Sequence, residues 1–370
     1  MSATRVVVNL PDQRSYDVRI GPRVLDGLGR KVRELLPSCS HVAVIGDANV
    51  APLYGARAKE ALNQEGLSVT EITVPAGEDS KSLAVLAEIW QALASKKLDR
   101  SCCIVSLGGG VASDLAGFAA AAYLRGVACI HVPTSLLAMV DASVGGKTGV
   151  NLPAGKNLVG AFKQPAYVCA DTATLATLPE REWTCGWAEV AKTAVLDSDE
   201  FFFWLDGASA QLRAHDDDAV REAITRCVVF KADVVARDEE ETQDVRACLN
   251  LGHTLGHALE ACTGYGTCSH GEAVAEGMRF AARLSAAVAG ASLEFVQAQD
   301  ELLDKLGLEP LPFSVPPREL LDCMHGDKKA HDGQILFVLP TDIGSWEVRP
   351  VADDVVLEHL DAWARSKEQA

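Results

Sequence analysis

CCIVSLGGGVASDLAGFAAAAYL, residues 102–124, passes from one kind of structure to another across three glycines. Cys102–Leu107 is an apolar run of strand length, and Asp114–Leu124 carries a helical pattern. Gly108, Gly109 and Gly110 form the turn between them. Glycines there let backbone amides approach a pyrophosphate, and a helix N-terminus favours negative charge. The run is not the GxGxxG fingerprint, so a tight structural turn remains the competing reading. Similar apolar runs occur at His41–Ile45, Val69–Val74, Val127–Val132 and Tyr167–Ala170. Helical patterns such as Ser80–Ala94 separate several of them. This alternation predicts crossover connections and a mainly parallel sheet, an α/β Rossmann-like N-terminal domain.

The rhythm stops near Pro179. From there the pattern is nearly all helical until Ile335–Leu339, which predicts a mainly α-helical C-terminal domain. Thr177, with Glu180 three residues later and Pro179 between, reads as a capping box. The expected domains are therefore 1–177 and 178–370.

Composition narrows the class. The chain has 370 residues, 48% apolar and 23% charged, as soluble globular proteins do. Its net charge of −17 argues against nucleic acid as a partner, while local lysines can still bind a small anion. The eleven cysteines include no CxxC pair and lie among apolar runs, which suits reduced thiols in the cytoplasm. Met1 leads at once into the strand-like Arg5–Leu10, with no signal or transit pattern, and no apolar run is long enough for a bilayer.

Residues 246–260 read as one helix with polar groups on its inner face. Arg246, Asn250, His253 and His257 fall within a stripe about 60° wide. Leu249, Leu251, Leu255, Ala258 and Leu259 bury the same segment, so aligned polar groups there argue for a site. The competing reading is a helix facing a wet cleft. Gly252 and Gly256 sit beside the histidines, where another element can approach closely. Histidines at i and i+4 also have metal-ligand spacing.

Other residues add chemistry. Glu189 and Lys192 stand i, i+3 among Trp187, Ala188, Val190, Ala191 and Ala194, too apolar a window for a surface ion pair. Ser269 and Glu272 form a second capping box that puts His270 at a helix start. Glu189 with two histidines would leave a Zn²⁺ an open position. Residues 131–163 gather Thr134, Ser135, Asp141, Gly145, Gly146, Lys147, Lys156, Asn157 and Lys163, a polyanion cradle if they are not simply a solvated loop. Asp47 and Asn49 follow a strand, where an acid can hold a ribose hydroxyl or merely make a turn. Lys231 lies in a helix of Val and Ala, and Lys328 and Lys329 precede a turn at Gly333.

In order and combination these segments resemble the 3-dehydroquinate synthase family, within the sugar phosphate cyclases. The matched pieces are Gly108 to Asp114, Val132 to Thr134, Asp141 to Lys147, Gly155 to Asn157, Ala188 to Lys192, Asn250 to His257, Ser269 to Glu272 and Asp327 to Lys329. The resemblance implies a homodimer that binds NAD and one divalent ion, zinc or alternatively cobalt. It implies metal ligands at Glu189, His253 and His270, with His257 unligated near the substrate. NAD contacts would fall on Asp47, Asn49, Glu78, Lys81, Gly109, Gly110, Asp114, Thr134, Ser135, Lys147, Lys156, Thr174 and Thr177. The implied substrate is 3-deoxy-D-arabino-heptulosonate 7-phosphate. Its phosphate and carboxylate would meet Lys147, Asn157, Lys192, Lys231, Arg246, Asn250 and a lysine of the 328–329 pair. Asp141 joins the catalytic set, and Arg125 contributes across the dimer. Glu240 and Glu241 compete for one active-site carboxylate role. Lys147 and Lys192 are expected to bind substrate charge rather than to stabilise the fold. The alternatives are another sugar phosphate cyclase or a metal-dependent NAD polyol dehydrogenase.

Overall fold

The computed structural model describes residues 3–264, 267–326, 330–331 and 334–368. The chain divides into two compact units, Met1–Pro179 with Ile224–Glu240, and Glu180–Ala223 with Glu241–Ala370. The expected division into 1–177 and 178–370 therefore omits one excursion, the return of 224–240 to the first unit.

The first unit contains strands β1 (Thr4–Asn9), β2 (Ser15–Gly21), β3 (His41–Asp47), β4 (Ser68–Val74), β5 (Cys103–Gly108), β6 (Ala128–Pro133), β7 (Lys147–Leu152), β8 (Gly155–Phe162) and β9 (Tyr167–Asp171). Its helices are α1 (Leu28–Leu35), α2 (Ala56–Asn63), α3 (Leu83–Ser95) and α4 (Gly110–Ala122). Seven strands form one sheet in the order β1-β2-β9-β6-β5-β3-β4. Every pairing in it is parallel except β1 with β2. Alternation along β3 sorts side chains between two layers. Val42 and Val44 pack with Leu28, Val32, Ala58 and Leu62 of α1 and α2. Ala43 and Ile45 pack with Leu86 and Ile89 of α3 and Leu115 and Ala119 of α4. The sheet is thus covered on both faces, as a mainly parallel sheet requires.

The second unit contains α5 (Glu180–Asp197), α6 (Asp199–Arg213), the start of α7 (Asp217–Arg237), α8 (His253–Thr263), α9 (His270–Val288), α10 (Leu293–Lys305), α11 (Pro317–His325) and α12 (Asp353–Glu368). A small antiparallel sheet of β10 (Ala330–His331), β11 (Gln334–Asp342) and β12 (Ser345–Val351) packs with α8, α9, α11 and α12 around Leu255, Leu259, Phe280, Leu320, Phe337 and Leu360.

Four local expectations change. Residues 246–260 are not one helix: a 3₁₀ turn, Arg246–Asn250, ends before α8 begins at His253. Gly252 makes the break, with φ 80°, a left-handed conformation that glycine adopts without a Cβ penalty. A Cβ there would lie 2.5 Å from the Val274 carbonyl oxygen of α9, so close packing requires the glycine too. Thr177 does not cap α5. Its hydroxyl donates to the Thr174 carbonyl (3.3 Å) and pairs with the Tyr54 hydroxyl (2.7 Å). Helix α4 starts at Gly110, four residues before Asp114. Residues 147–162, where no strand is expected, form an antiparallel hairpin of β7 and β8.

Candidate active site

Helix α5 is buried from Cys185 to Leu196, which takes Glu189 and Lys192 out of water on one face. Their side chains touch, and Lys192 Nζ also donates to the Leu249 carbonyl at 2.8 Å. Helices α8 and α9 bring one histidine each, His253 and His270, at their first residues. The capping box at Ser269 and Glu272 fixes the α9 start, as the sequence predicts. Bare backbone draws these termini together. A Cβ on Gly271 would meet Cys185 backbone at 2.5 Å, and one on Gly256 would meet Ala273 at 3.2 Å.

The result is a trio: one ligand atom each from Glu189, His253 and His270 lies within 4.8 Å of the others. Glu189 Oε1 is 3.6 Å from His253 Nε2 and 3.5 Å from His270 Nε2. The outer nitrogens are engaged. His253 Nδ1 donates to the Leu251 carbonyl at 3.0 Å, and His270 Nδ1 faces Glu260 Oε2 at 3.3 Å. An Nδ1–H held by an acceptor leaves Nε2 for a metal, and this is how metal-binding imidazoles are usually oriented. Glu189 Oε1 is buried without a hydrogen-bond partner. One carboxylate and two imidazoles suit zinc-type coordination with an open fourth position, so the residues fit a divalent ion. Burial alone would raise the Glu189 pKa, but the Lys192 charge and His270 outweigh it and hold the group at about 2. Burial likewise works against charge on His270, yet Glu189 and Glu260 carry its pKa up to about 9.

The neighbours of the trio follow from the same elements. His257 lies one turn along α8, half-buried, its ring centroid 5.3 Å from that of His253. It is not one of the trio. Arg246 is 2% exposed on the 3₁₀ turn, and Asn250 ends that turn half-buried. Lys192 is 2% exposed and paired with Glu189, a buried ion pair rather than a surface one, as its apolar window predicts.

In the first unit, β4 lies on one side of β3 and β5 on the other. Chain direction across the sheet reverses between β3 and β5, and ligands of open α/β sheets bind outside the carboxyl ends at such a point. Asp47 ends β3 and Gly108 ends β5. A Cβ on Gly108 would stand 3.2 Å from Asp47 Oδ2, and one on Gly109 would stand 3.4 Å from Ser135 Oγ. Asp47 Oδ1 accepts from the amides of Asn49 (2.8 Å) and Val50 (3.0 Å). Thr134 N–H donates to the Gly108 carbonyl at 2.9 Å. Asp47, Gly108 to Gly110, Thr134 and Ser135 thus share one edge, where α4 begins and its first amides lack acceptors within the helix. A dinucleotide fits this glycine-lined edge.

Close by, Lys81 Nζ meets Asp114 Oδ2 at 2.5 Å, and Glu78 Oε1 accepts from Asn151 Nδ2 at 2.8 Å. Burial pushes the Asp114 carboxyl up against the pull of Lys81. Thr174 and Thr177 lie after β9, and their hydroxyls bond within their turn and to Tyr54. Lys147 opens β7, exposed, while Lys156 and Asn157 lie on β8. Lys231 Nζ, from the half of α7 in the first unit, donates to both the carbonyl and Oδ1 of Asp141, each at 2.6 Å. Arg125 is exposed at the end of a 3₁₀ turn. Glu240 and Glu241 are both exposed. Lys328 and Lys329 lie outside the described residues.

Two participants escaped sequence reasoning. Glu260, the partner of His270, is a buried acid three residues after His257 on an apolar helix, a signal that spacing could have raised. Asn151 has no sequence signal; only the fold shows its partners.

Solved structures define the class as the sugar phosphate cyclases. A 2-deoxy-scyllo-inosose synthase complexed with carbaglucose-6-phosphate, NAD+ and Co2+ is 26% identical, with a TM-score of 0.88 over 96% of this chain and 99% of that one. A 2-epi-5-epi-valiolone synthase from Streptomyces hygroscopicus, with NAD+ and Zn2+ bound, is 26% identical with a TM-score of 0.85 over 97% and 99%. Residues 71–185 match the model of the 3-dehydroquinate synthase N-terminal domain, and residues 186–330 that of its C-terminal domain. A 3-dehydroquinate synthase of Rhodopirellula baltica is 43% identical over 344 residues, 92% of either chain. The chain belongs to the 3-dehydroquinate synthase family. It is a shikimate-pathway cyclase, a carbon–oxygen lyase.

Proposed function

We propose that the chain converts 3-deoxy-D-arabino-heptulosonate 7-phosphate to 3-dehydroquinate and phosphate with NAD and one divalent ion, zinc or cobalt, held by Glu189, His253 and His270. The observation that carries this reading is the buried Glu189 carboxylate facing two imidazoles whose other nitrogens are already oriented. When bound, NAD supplies a hydride acceptor restored within each turnover, and the ion supplies a Lewis acid at the hydroxyl being oxidised. The chain's own residues do the rest.

Lys192, fixed by Glu189 and the Leu249 carbonyl, holds a positive charge beside that hydroxyl. His257 stays unligated and moves a proton at its imidazole. Arg246 and Asn250 bind the substrate carboxylate. Lys147, Asn157 and Lys231 bind the phosphate until it leaves, with Asp141 holding Lys231 in place. Asp47, Asn49, Glu78, Lys81, Gly109, Gly110, Asp114, Thr134, Ser135 and Lys156 hold NAD, with Thr174 and Thr177 bracing the edge. A lysine of the 328–329 pair adds a further charge. The domain assignment is one NAD-binding α/β unit and one helical metal-binding unit. The working form is a cytoplasmic homodimer to which Arg125 contributes. Its eleven free thiols suit a reducing compartment, and no described helix is long and apolar enough to cross a membrane.

Purified zinc-loaded protein, the heptulosonate phosphate and catalytic NAD test the proposal. Phosphate released should far exceed the NAD supplied, and NMR should identify the carbocycle as 3-dehydroquinate. NADH accumulating in proportion to product would favour the polyol dehydrogenase, and a different carbocycle would favour another cyclase.

A further inference from the structure

Asn151 lies on β7, four residues after Lys147, at a break in the β7–β8 ladder. Val150 pairs with Val159 and Leu152 with Gly155, so the register shifts across Asn151. A bulge of this kind re-aims one residue out of the ladder. The Asn151 amide turns to the Lys81 carbonyl at 2.7 Å, and the residue makes a parallel bridge with Ser82. Its side chain then works in two directions. Nδ2 donates to Glu78 Oε1 at 2.8 Å, and Oδ1 accepts from the Asn157 amide at 2.9 Å. Asn157 has φ 55°, a left-handed conformation that asparagine adopts more readily than most residues with a side chain. The bond from Asn151 holds that backbone in place. Both side-chain groups of one amide are thus committed, one to the 78–82 turn and one to the start of β8.

We propose that Asn151 is a positioning residue that couples NAD binding to substrate binding. The inference rests on the assignment above of Glu78 and Lys81 to NAD and of Asn157 to the substrate phosphate. Ordering the 78–82 turn around NAD orders Glu78, which fixes the Asn151 amide and through it the Asn157 backbone. The second ligand then meets a site already ordered by the first. By linkage, phosphate tightens NAD binding by the same factor.

The test uses full-length zinc-loaded protein as wild type, Asn151→Ala and Asn151→Asp. NAD affinity is titrated by calorimetry with and without saturating inorganic phosphate, and KM for the heptulosonate phosphate is measured at saturating NAD. Wild type should show coupling of about fivefold or more. Asn151→Ala should reduce the factor to about one and raise KM. Asn151→Asp keeps an acceptor for the Asn157 amide but sets a carboxylate against Glu78. It should weaken NAD binding while KM at saturating NAD stays near the wild-type value. A residue that only supports the fold gives no such split, and the aspartate variant carries the test if the alanine variant fails to fold. Absent coupling in wild type, or coupling that survives in both variants, overturns the inference alone. A wild type that binds no NAD overturns the assignment on which it rests as well.

Discussion

Replacing Glu260 by glutamine probes how the trio takes up its ion. Glu260 is 8% exposed, and its Oε2 lies 3.3 Å from His270 Nδ1. Against the effect of burial, Glu189 and Glu260 raise His270 from 6.5 to about 9. The metal-free site is therefore protonated at neutral pH, and an incoming ion must displace that proton. At about pH 7.5 this costs a factor of about 30, or about 2 kcal/mol. Glu260→Gln has two opposed effects. A neutral partner makes His270 a weaker ligand, by about 10–100-fold in affinity for outer contacts of this kind. It also lets the proton leave at lower pH, which returns part of the factor of about 30. Zinc competition against a chromophoric chelator between about pH 6.5 and 9.5 separates the two. Wild-type affinity should climb about tenfold per pH unit until about pH 9 and then level off. The variant should level off earlier, fall furthest behind at the alkaline end and close the gap toward neutrality. The stability of the metal-free protein runs the other way. The contribution of charged His270 is complete below 6.5 and is lost as pH rises through about 9. Wild-type affinity that is flat from about pH 7 to 9, or a variant deficit equal at every pH, refutes the reasoning.

The two lysines should part company. Lys192→Met removes the ammonium in contact with the buried Glu189 carboxylate and leaves His270 as its remaining cation, so the metal-free protein should lose up to about 3–5 kcal/mol in denaturant titration. Exposed Lys147→Ala should leave stability unchanged while costing about 2–4 kcal/mol in kcat/KM. Equal stabilities for the two variants would sink the buried-pair argument. Chelator dialysis should abolish activity and zinc or cobalt restore it. His257→Ala should keep a full equivalent of metal by elemental analysis yet lose rate, and metal loss in that variant would make His257 a ligand. Gly252→Ala should destabilise by well over about 1 kcal/mol, since the left-handed φ and the Val274 carbonyl both oppose a Cβ. A melting temperature within a degree of wild type contradicts the close-packing account.

What could be read in the sequence was what local pattern encodes. The apolar runs from His41 to Ala170 have strand length and alternate with helical patterns, so the parallel sheet was legible, as was the Ser269–Glu272 cap. His253 stood out as a polar residue in an apolar window, and His270 by its place at a capped helix start. The break at Gly252 was not: a helical stripe continues across it, and only contact with α9 shows why the backbone must turn. The β7–β8 hairpin hid behind glycines and lysines that read as loop, because its register depends on partners and not on alternation. Asn151 meets its partners Glu78 and Asn157 only in the folded chain, which leaves no periodicity to detect, whereas Glu260 shares the spacing of its apolar helix with His257.

Helix α7 begins among residues of the second unit and ends among those of the first, where Lys231 binds Asp141. The first unit is therefore not completed in one stretch of synthesis. A ribosome that has released everything up to Pro179 has released the whole sheet but not the segment that completes its unit. The Asp141 carboxylate must wait, without Lys231, until the chain has passed Glu240. During that interval α5 and α6 emerge ahead of the helix the first unit still lacks. A gene cut at the boundary that sequence pattern suggests would yield a sheet domain permanently in that waiting state.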